Sequence, residues 1–187
     1  MRTLAILAAV MLAGCGAVPR KTTHRLTFGD GVCSATAVGR NTILSAAHCF
    51  EGAHSLSIDG VPVEVAKIVS DGSDHVLVTV SATFQDVAKR GHSTHVSDRV
   101  HYWGNPTGLH DLYREGYVAG VAIIGGKAVT LIDSNIFYGD SGAGVFDASS
   151  RLIGVVSVLY QDTNRGYIKF MGMYPLRFTA KQWAEVQ

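Results

Sequence analysis

Between Leu26 and Phe170, apolar and polar residues alternate in short runs broken by Gly, Asn, Asp and Ser, the pattern of strands with one buried face. The spacing predicts strands at 34–39, 42–47, 62–69, 75–80, 99–104, 115–124, 127–132, 143–146, 151–160 and 166–171. So many short strands with turn-rich connections argue for an all-β, antiparallel chain folded into two sheets or barrels. Residues 82–97 turn polar and include KRGHSTH, which reads as a linker between a first lobe at 26–81 and a second at 98–187. Near the end the period lengthens. In PLRFTAKQWAEVQ, Thr179 and Gln182 fit a capping box, and Phe178, Trp183 and Val186 share one face of a short α-helix expected to pack on the second lobe.

The N-terminus follows neither period. Arg2 precedes an apolar stretch from Leu4 to Ala13, too short to span a bilayer and suited to the hydrophobic region of an export signal. Its end, Leu12-Ala13-Gly14-Cys15, resembles the bacterial lipobox, in which the cysteine thiol is lipidated and becomes the mature N-terminus. On that reading 1–14 is a lipoprotein signal peptide, 15–25 a tether, and Cys15 the membrane anchor. Gly16, in place of an acidic residue, points to the periplasmic side of an outer membrane in a Gram-negative host. The alternative is an ordinary signal cut after a small residue such as Ala17. With Cys15 assigned to lipid, Cys33 and Cys49 remain as an even pair in an oxidising compartment, where a disulfide persists; two reduced thiols are the other reading.

Composition adds limits. At 187 residues and 47% hydrophobic content the chain can bury a sizeable core. Its formal charge of +1, without blocks of like charge, gives no nucleic-acid surface. His92 and His95 have a metal-like spacing but lie in the polar linker without acidic or cysteine neighbours, so they read as surface residues and no metal site is expected. His101, Tyr102 and Trp103 read as a strand face.

Three segments carry candidate chemistry. In ILSAAHCF, His48 follows a strand and precedes Cys49; an imidazole there has a pKa suited to general-base work. In SDGSDHVLVTV, Asp74 opens an apolar strand, where a carboxylate can orient an imidazole, while Asp71 beside Gly72 is a rival better suited to making the turn. In NIFYGDSGAG, glycines flank Ser141 and let a substrate backbone approach, with the Gly139 and Ser141 amides as natural oxyanion donors. A lipase-type elbow is excluded, since Ala143 occupies its second glycine position and no histidine follows His110.

The order His, Asp, Ser, carried by AAHC, DHVLV and GDSGAG, resembles the trypsin/chymotrypsin family of serine proteases. The step from Cys33 to Cys49 matches that family's disulfide beside the histidine. A fourth stretch, WGNPTGLHDLYREGYVAGV (103–121), resembles the GNP-x-G segment of bacterial HtrA-type and other trypsin-like peptidases. The resemblance covers residue 26 to the end and implies two six-stranded-type antiparallel barrels. It also implies a nucleophile at Ser141, a general base at His48, an orienting carboxylate at Asp74, polypeptide substrates and no cofactor. Asn135 would floor the primary pocket, Ser157, Val158 and Leu159 would form the edge that pairs with substrate, and Gly166 would flank the pocket. An uncharged Asn135 disfavours selection of Lys or Arg, and Leu159 suggests a shallow pocket for small or modest apolar side chains.

Animal members of that family activate when a new Ile or Val amine pairs with the aspartate before the serine. No such activation sequence precedes Cys33, so Asp140 needs another partner, either Arg114 or the backbone of its own turn. HtrA-style regulated assembly is not expected, since no PDZ-like stretch follows. The rival reading from another class is a catalytically silent domain of the same family that binds a protein partner through the same cleft.

Overall fold

The computed structural model describes residues 22–52, 55–162 and 168–185, so the expectations for Cys15, Gly166 and Val186 lie outside the described residues. The first sheet holds β1 (Thr23–Phe28), β2 (Gly31–Gly39), β3 (Thr42–Ala46), β4 (Leu56–Ile58), β5 (Val61–Val63), β6 (Val65–Ser70) and β7 (His75–Val80). Its spatial order is β5-β4-β1-β2-β3-β7-β6. The second holds β8 (Arg99–Gly104), β9 (Leu112–Ile124), β10 (Lys127–Asp133), β11 (Gly144–Asp147), β12 (Leu152–Val155), β13 (Val158–Asp162) and β14 (Ile168–Met173), in the order β12-β11-β8-β9-β10-β14-β13. A short helix, α1 (Ala180–Ala184), ends the described chain.

Two runs that read as single strands each turn a corner. The run 62–69 breaks at Glu64, whose N–H donates to Ser81 Oγ and whose carbonyl accepts from Ser81 N–H, both at 3.0 Å. The run 151–160 breaks at Val156: its N–H donates to Ala143 and its carbonyl accepts from Gly142, whereas the next amide, Ser157, donates to Gly172. In each sheet the corner joins the two outermost strands, β5 with β6 and β12 with β13, so one run supplies both edges. Each sheet therefore counts seven strands built from six runs, the closing geometry of an antiparallel barrel.

β3 and β7 read as continuous apolar runs because they are buried on both faces. Ile43, Val76 and Val78 fill the first lobe with Leu26, Ala35 and Phe84. Leu44 and Leu77 point the other way, into a cluster shared with Phe146, Leu152, Val155, Phe178 and Trp183. Both leucines are fully buried, each contributing about 2 kcal/mol by removal from water. This shared cluster fixes the strands that lead to His48 and Asp74 against the lobe that carries Ser141.

The connection between β7 and β8 is bonded to both lobes: Phe84 and Ala88 amides donate to Arg40 and Ala37, Gly91 N–H donates to the Leu152 carbonyl of β12, and Leu152 N–H donates to Lys89. The capping box at Thr179 and Gln182 is present. The helix packs on the second lobe through Trp183, which lies with Phe146, Leu152 and Val155, and also reaches the first, since Gln182 Nε2 donates to the Ser70 carbonyl and Lys67 pairs with Glu185 at 2.9 Å, Ser70 and Lys67 both being on β6. Trp183 enters the cluster between lobes, which is why the helix touches the first.

Candidate active site

His48 sits in a 3-10 turn, Ala47–Phe50, immediately after β3, and Asp74 immediately precedes β7. Because β3 and β7 are paired through Ala46 and His75, the two side chains emerge side by side. Ala47 N–H donates to the Asp74 carbonyl and His48 N–H to Asp74 Oδ1, each at 3.0 Å. The ring completes the contact: His48 Nδ1 lies 2.8 Å from Asp74 Oδ2 and 3.0 Å from Oδ1. The Asp74 bond raises the imidazole pKa above its ordinary 6.5, against the opposing effect of burial and with the help of the Asp74 and Glu51 charges. With Nδ1–H given to Asp74, Nε2 is the nitrogen left for chemistry. The Cys33–Cys49 disulfide ties the turn to β2.

Ser141 reaches the same place from the second lobe. Its carbonyl accepts from Ser34 N–H at 2.8 Å, and the next residue, Gly142, has φ +86 and no room for a side chain: a Cβ would fall 2.1 Å from the Ser34 carbonyl. The turn is thus docked on β2 by a contact only glycine permits. Gly139, at φ +100, lies against the GNPTG segment, where a Cβ would fall 2.3 Å from the Asn105 carbonyl.

Both peptide planes of Gly139 are held. The Tyr138 carbonyl accepts from Thr107 N–H at 2.8 Å, which turns the Gly139 N–H the opposite way. The Gly139 carbonyl accepts from Ser34 Oγ at 2.8 Å, and Ser34 Oγ in turn accepts from Nδ2 of the fully buried Asn105 at 3.0 Å. The Asp111 amide donates to Asn105 Oδ1. Among the described residues neither the Gly139 nor the Ser141 amide donates to another protein group. Sequence reading singled out GNPTG but gave Ser34, Asn105 and Thr107 no role at the site; Ser34 carries no local signal at all.

Asp140 has both partners considered for it. Arg114 Nη1 and Phe137 N–H donate to the same carboxylate oxygen, Oδ2. Burial pushes the Asp140 carboxyl upward, and the Phe137 amide and Arg114 pull against it. Burial also drives the neighbouring Tyr102 hydroxyl up to about 12, so it stays protonated and donates to the Asn135 carbonyl.

His48 and Ser141 line one cavity of about 480 Å³ together with Ile136, Phe137, Tyr138, Ser157, Leu159, Gln161 and Lys169. Ser141 Oγ has no hydrogen-bond partner among the described residues, so its relation to His48 is a shared wall, not a formed bond. Ser157 and Leu159 line this cavity, and β13 is an edge strand. Val158 pairs with Gly172 and does not line the cavity. Asn135 is a correction: its exposed side chain borders a separate polar pocket with Arg114, Glu115, Asp133, Ser134 and Lys169, because the Tyr102 bond to its carbonyl turns the chain there and Ile136 faces the cavity instead. His48 also lines a second cavity, about 420 Å³, on the side of Phe28, Val32 and the disulfide.

A sequence profile of the family described as trypsin-like peptidase domain matches residues 29–155. No curated protein matches the chain. Among solved structures, the Rv3671c protease in an inactive form superposes with a TM-score of 0.70 at 16% identity, covering 89% of each chain. A serine-to-alanine mutant of Rv3671c from M. tuberculosis H37Rv, also in an inactive form, gives 0.69 at 13% identity, covering 89% of this chain and 87% of the other. A serine-to-alanine form of the HtrA-type protease AlgW with a tripeptide gives 0.70 at 19% identity, covering 89% of this chain but 59% of AlgW. At these identities the likeness is one of fold.

Proposed function

The chain belongs to the trypsin-like peptidase family, and from that premise we propose that it is a serine endopeptidase working through Ser141, His48 and Asp74. The observation that carries the reading is the His48 ring, held at Nδ1 by Asp74 and lining the cavity that contains Ser141. In this mechanism Ser141 Oγ attacks a peptide carbonyl and His48 Nε2 takes its proton. The proton then passes to the leaving amine, and water repeats the cycle to release the acyl group from Ser141. Asp74 keeps the imidazole in the Nδ1–H tautomer and stabilises the imidazolium. The unengaged Gly139 and Ser141 amides receive the oxyanion, a single such donor being worth roughly 3 kcal/mol in the transition state.

Two features favour internal cleavage of polypeptides. Cavities lie on both sides of His48, giving the chain room before and after the scissile bond. The strand β13 lies at the edge of its sheet among the described residues, next to Ser157 and Leu159, and an extended substrate would add to it as a further strand. Arg114 already neutralises Asp140, so the folded protein needs no newly cut amine to become active. Export and lipid attachment at Cys15 belong to the same proposal and place the enzyme at a bacterial membrane.

The test is labelling by a serine-directed fluorophosphonate. Wild type is expected to label, Ser141→Ala not at all, and His48→Ala weakly. A folded wild type that neither labels nor cleaves peptides favours the catalytically silent reading and removes this one.

A further inference from the structure

The cavity beside Ser141 contains a cation. Lys169 is the second residue of β14 and pairs across the ladder with Gln161 of β13, and both line the cavity. Side chains two apart on a strand share a face. Met171 and Met173, on the Lys169 face, are 0% and 4% exposed in the core of the second lobe. Lys169 therefore extends the inward face of β14 to its mouth, where the methionines give way to the cavity.

No ion pair holds Lys169 among the described residues. Its contact there is with the Phe137 ring, whose centroid lies 4.2 Å from Nζ; Arg114 lies on the same ring at 5.3 Å. Of the carboxylates nearby, Asp140 bonds Arg114 and the Phe137 amide and feels the Lys169 charge only at longer range, and Glu115 bonds Arg99 and Tyr113. Asp133 shares the polar pocket behind with Lys169 but forms no ion pair with it among the described residues. Ile136, Phe137 and Leu159 give the rest of the cavity an apolar wall, which strengthens the field of a cation at its edge.

We propose that Lys169, with Gln161 opposite, makes the cavity a subsite for an acidic side chain, so that this enzyme cuts after glutamate or aspartate. The inference rests on the endopeptidase reading, since the residue whose carbonyl meets Ser141 is the one whose side chain enters this space. It replaces the shallow apolar pocket inferred from Asn135 and Leu159. A carboxylate entering there finds a lysine ammonium that, among the described residues, has an aromatic face as its short contact, and the Gln161 amide supplies a second donor.

The test is a set of fluorogenic peptides identical except for Glu, Asp, Gln, Ala, Leu or Lys before the scissile bond, with fluorophosphonate labelling as a separate measure that the site is competent. Wild type is expected to label and to favour Glu over Gln by at least about 10-fold in kcat/KM, the scale of a close charge pair. That ratio is expected to shrink between ~0.1 M and ~1 M salt, as the screening length falls from about 10 Å to about 3 Å. Lys169→Met should bring the Glu to Gln ratio near one, and Lys169→Glu should shift preference toward the Lys peptide. A labelling wild type that prefers Ala, Leu or Lys over Glu, or a Glu preference insensitive to both salt and Lys169→Met, overturns the acidic subsite and leaves the peptidase standing. A wild type that neither labels nor cleaves overturns both.

Discussion

Two histidine–carboxylate pairs stand at the start of β7, three residues apart in their acids and alike in their bonds. His48 Nδ1 meets Asp74 Oδ2 at 2.8 Å, and His75 Nδ1 meets Asp71 Oδ2 at 2.8 Å. What separates them is where the other ring nitrogen goes. The His48 side chain is 42% exposed and faces a cavity shared with Ser141, whereas the His75 and Asp71 side chains are 0% exposed. His75 Nε2 is buried without a hydrogen-bond partner among the described residues, and its ring lies edge-on to Tyr174. Asp71 spends its remaining capacity on the Ser73 amide in its own turn and on the Arg177 amide of the C-terminal segment. The same imidazole–carboxylate bond thus occurs in a buried and in an accessible setting; in the proposed mechanism, access of Nε2 to Ser141 makes the difference. The buried pair also supports the exposed one, since it fixes both residues flanking the Gly72–Asp74 turn.

The largest effect that sharpens this contrast is Asp74→Asn, which should lower kcat/KM by about 10⁴-fold, the scale known for that carboxylate in chymotrypsin-like enzymes, with thermal stability little changed. A loss below ten-fold in a folded variant would break the assignment of Asp74 as the orienting acid. Asp71→Ala should do the reverse. It strands the buried His75 and removes the acceptor of the Arg177 amide, so unfolding in urea should show a loss of about 3 kcal/mol, while folded protein keeps turnover within roughly ten-fold. Removing the Cys33–Cys49 bridge by paired alanines should cost about 3 kcal/mol in the same assay, by freeing the unfolded chain.

The smaller effects are in pH. The Asp74 bond raises the His48 pKa above 6.5, and His48 must be neutral to act as base, so kcat/KM should rise with pH through a value above 6.5. In Asp74→Asn that limb should move down. Asp71 behaves oppositely. Burial pushes its carboxyl up, but the His75 bond and the Arg177 and Ser73 amides outweigh it, leaving the folded pKa below 3.8. A lowered folded pKa contributes stability that is present above 3.8 and lost as pH falls through the folded value, so acid unfolding of Asp71→Asn should lose that component.

Much of this was legible in the chain. GDSGAG and AAHC locate their residues because strand ends and glycine turns leave local marks, and Asp74 was separable from Asp71 because it abuts the apolar run directly. Asp71 was read as a turn former, and it does bond the Ser73 amide, but its pairing with His75 four residues on was not considered, and its bond from Arg177 crosses 106 residues that no local pattern records. The corners at Glu64 and Val156 were invisible for a related reason: the strand-like pattern continues across each corner while the hydrogen-bond partners change. β1 and β4 escaped notice because THRLTF is mostly polar and LSI is too short to show a period. Asn135 was misplaced because counting back from Ser141 gives distance along the chain, not the face to which a residue turns. Lys169 was missed because a lysine in IKFMGM reads as the solvent side of a strand until Met171 and Met173 show that its face is the inner one.

The most direct measurement compares the rate of fluorophosphonate attachment to Ser141, mapped by mass spectrometry, in wild type, Asp74→Asn and Asp71→Asn under conditions where all three are folded. Labelling at Ser141 is expected to fall by orders of magnitude in Asp74→Asn and to stay within roughly ten-fold of wild type in Asp71→Asn. Labelling that survives Asp74→Asn, or that collapses equally in a folded Asp71→Asn, would contradict the assignment of Asp74 as the orienting acid.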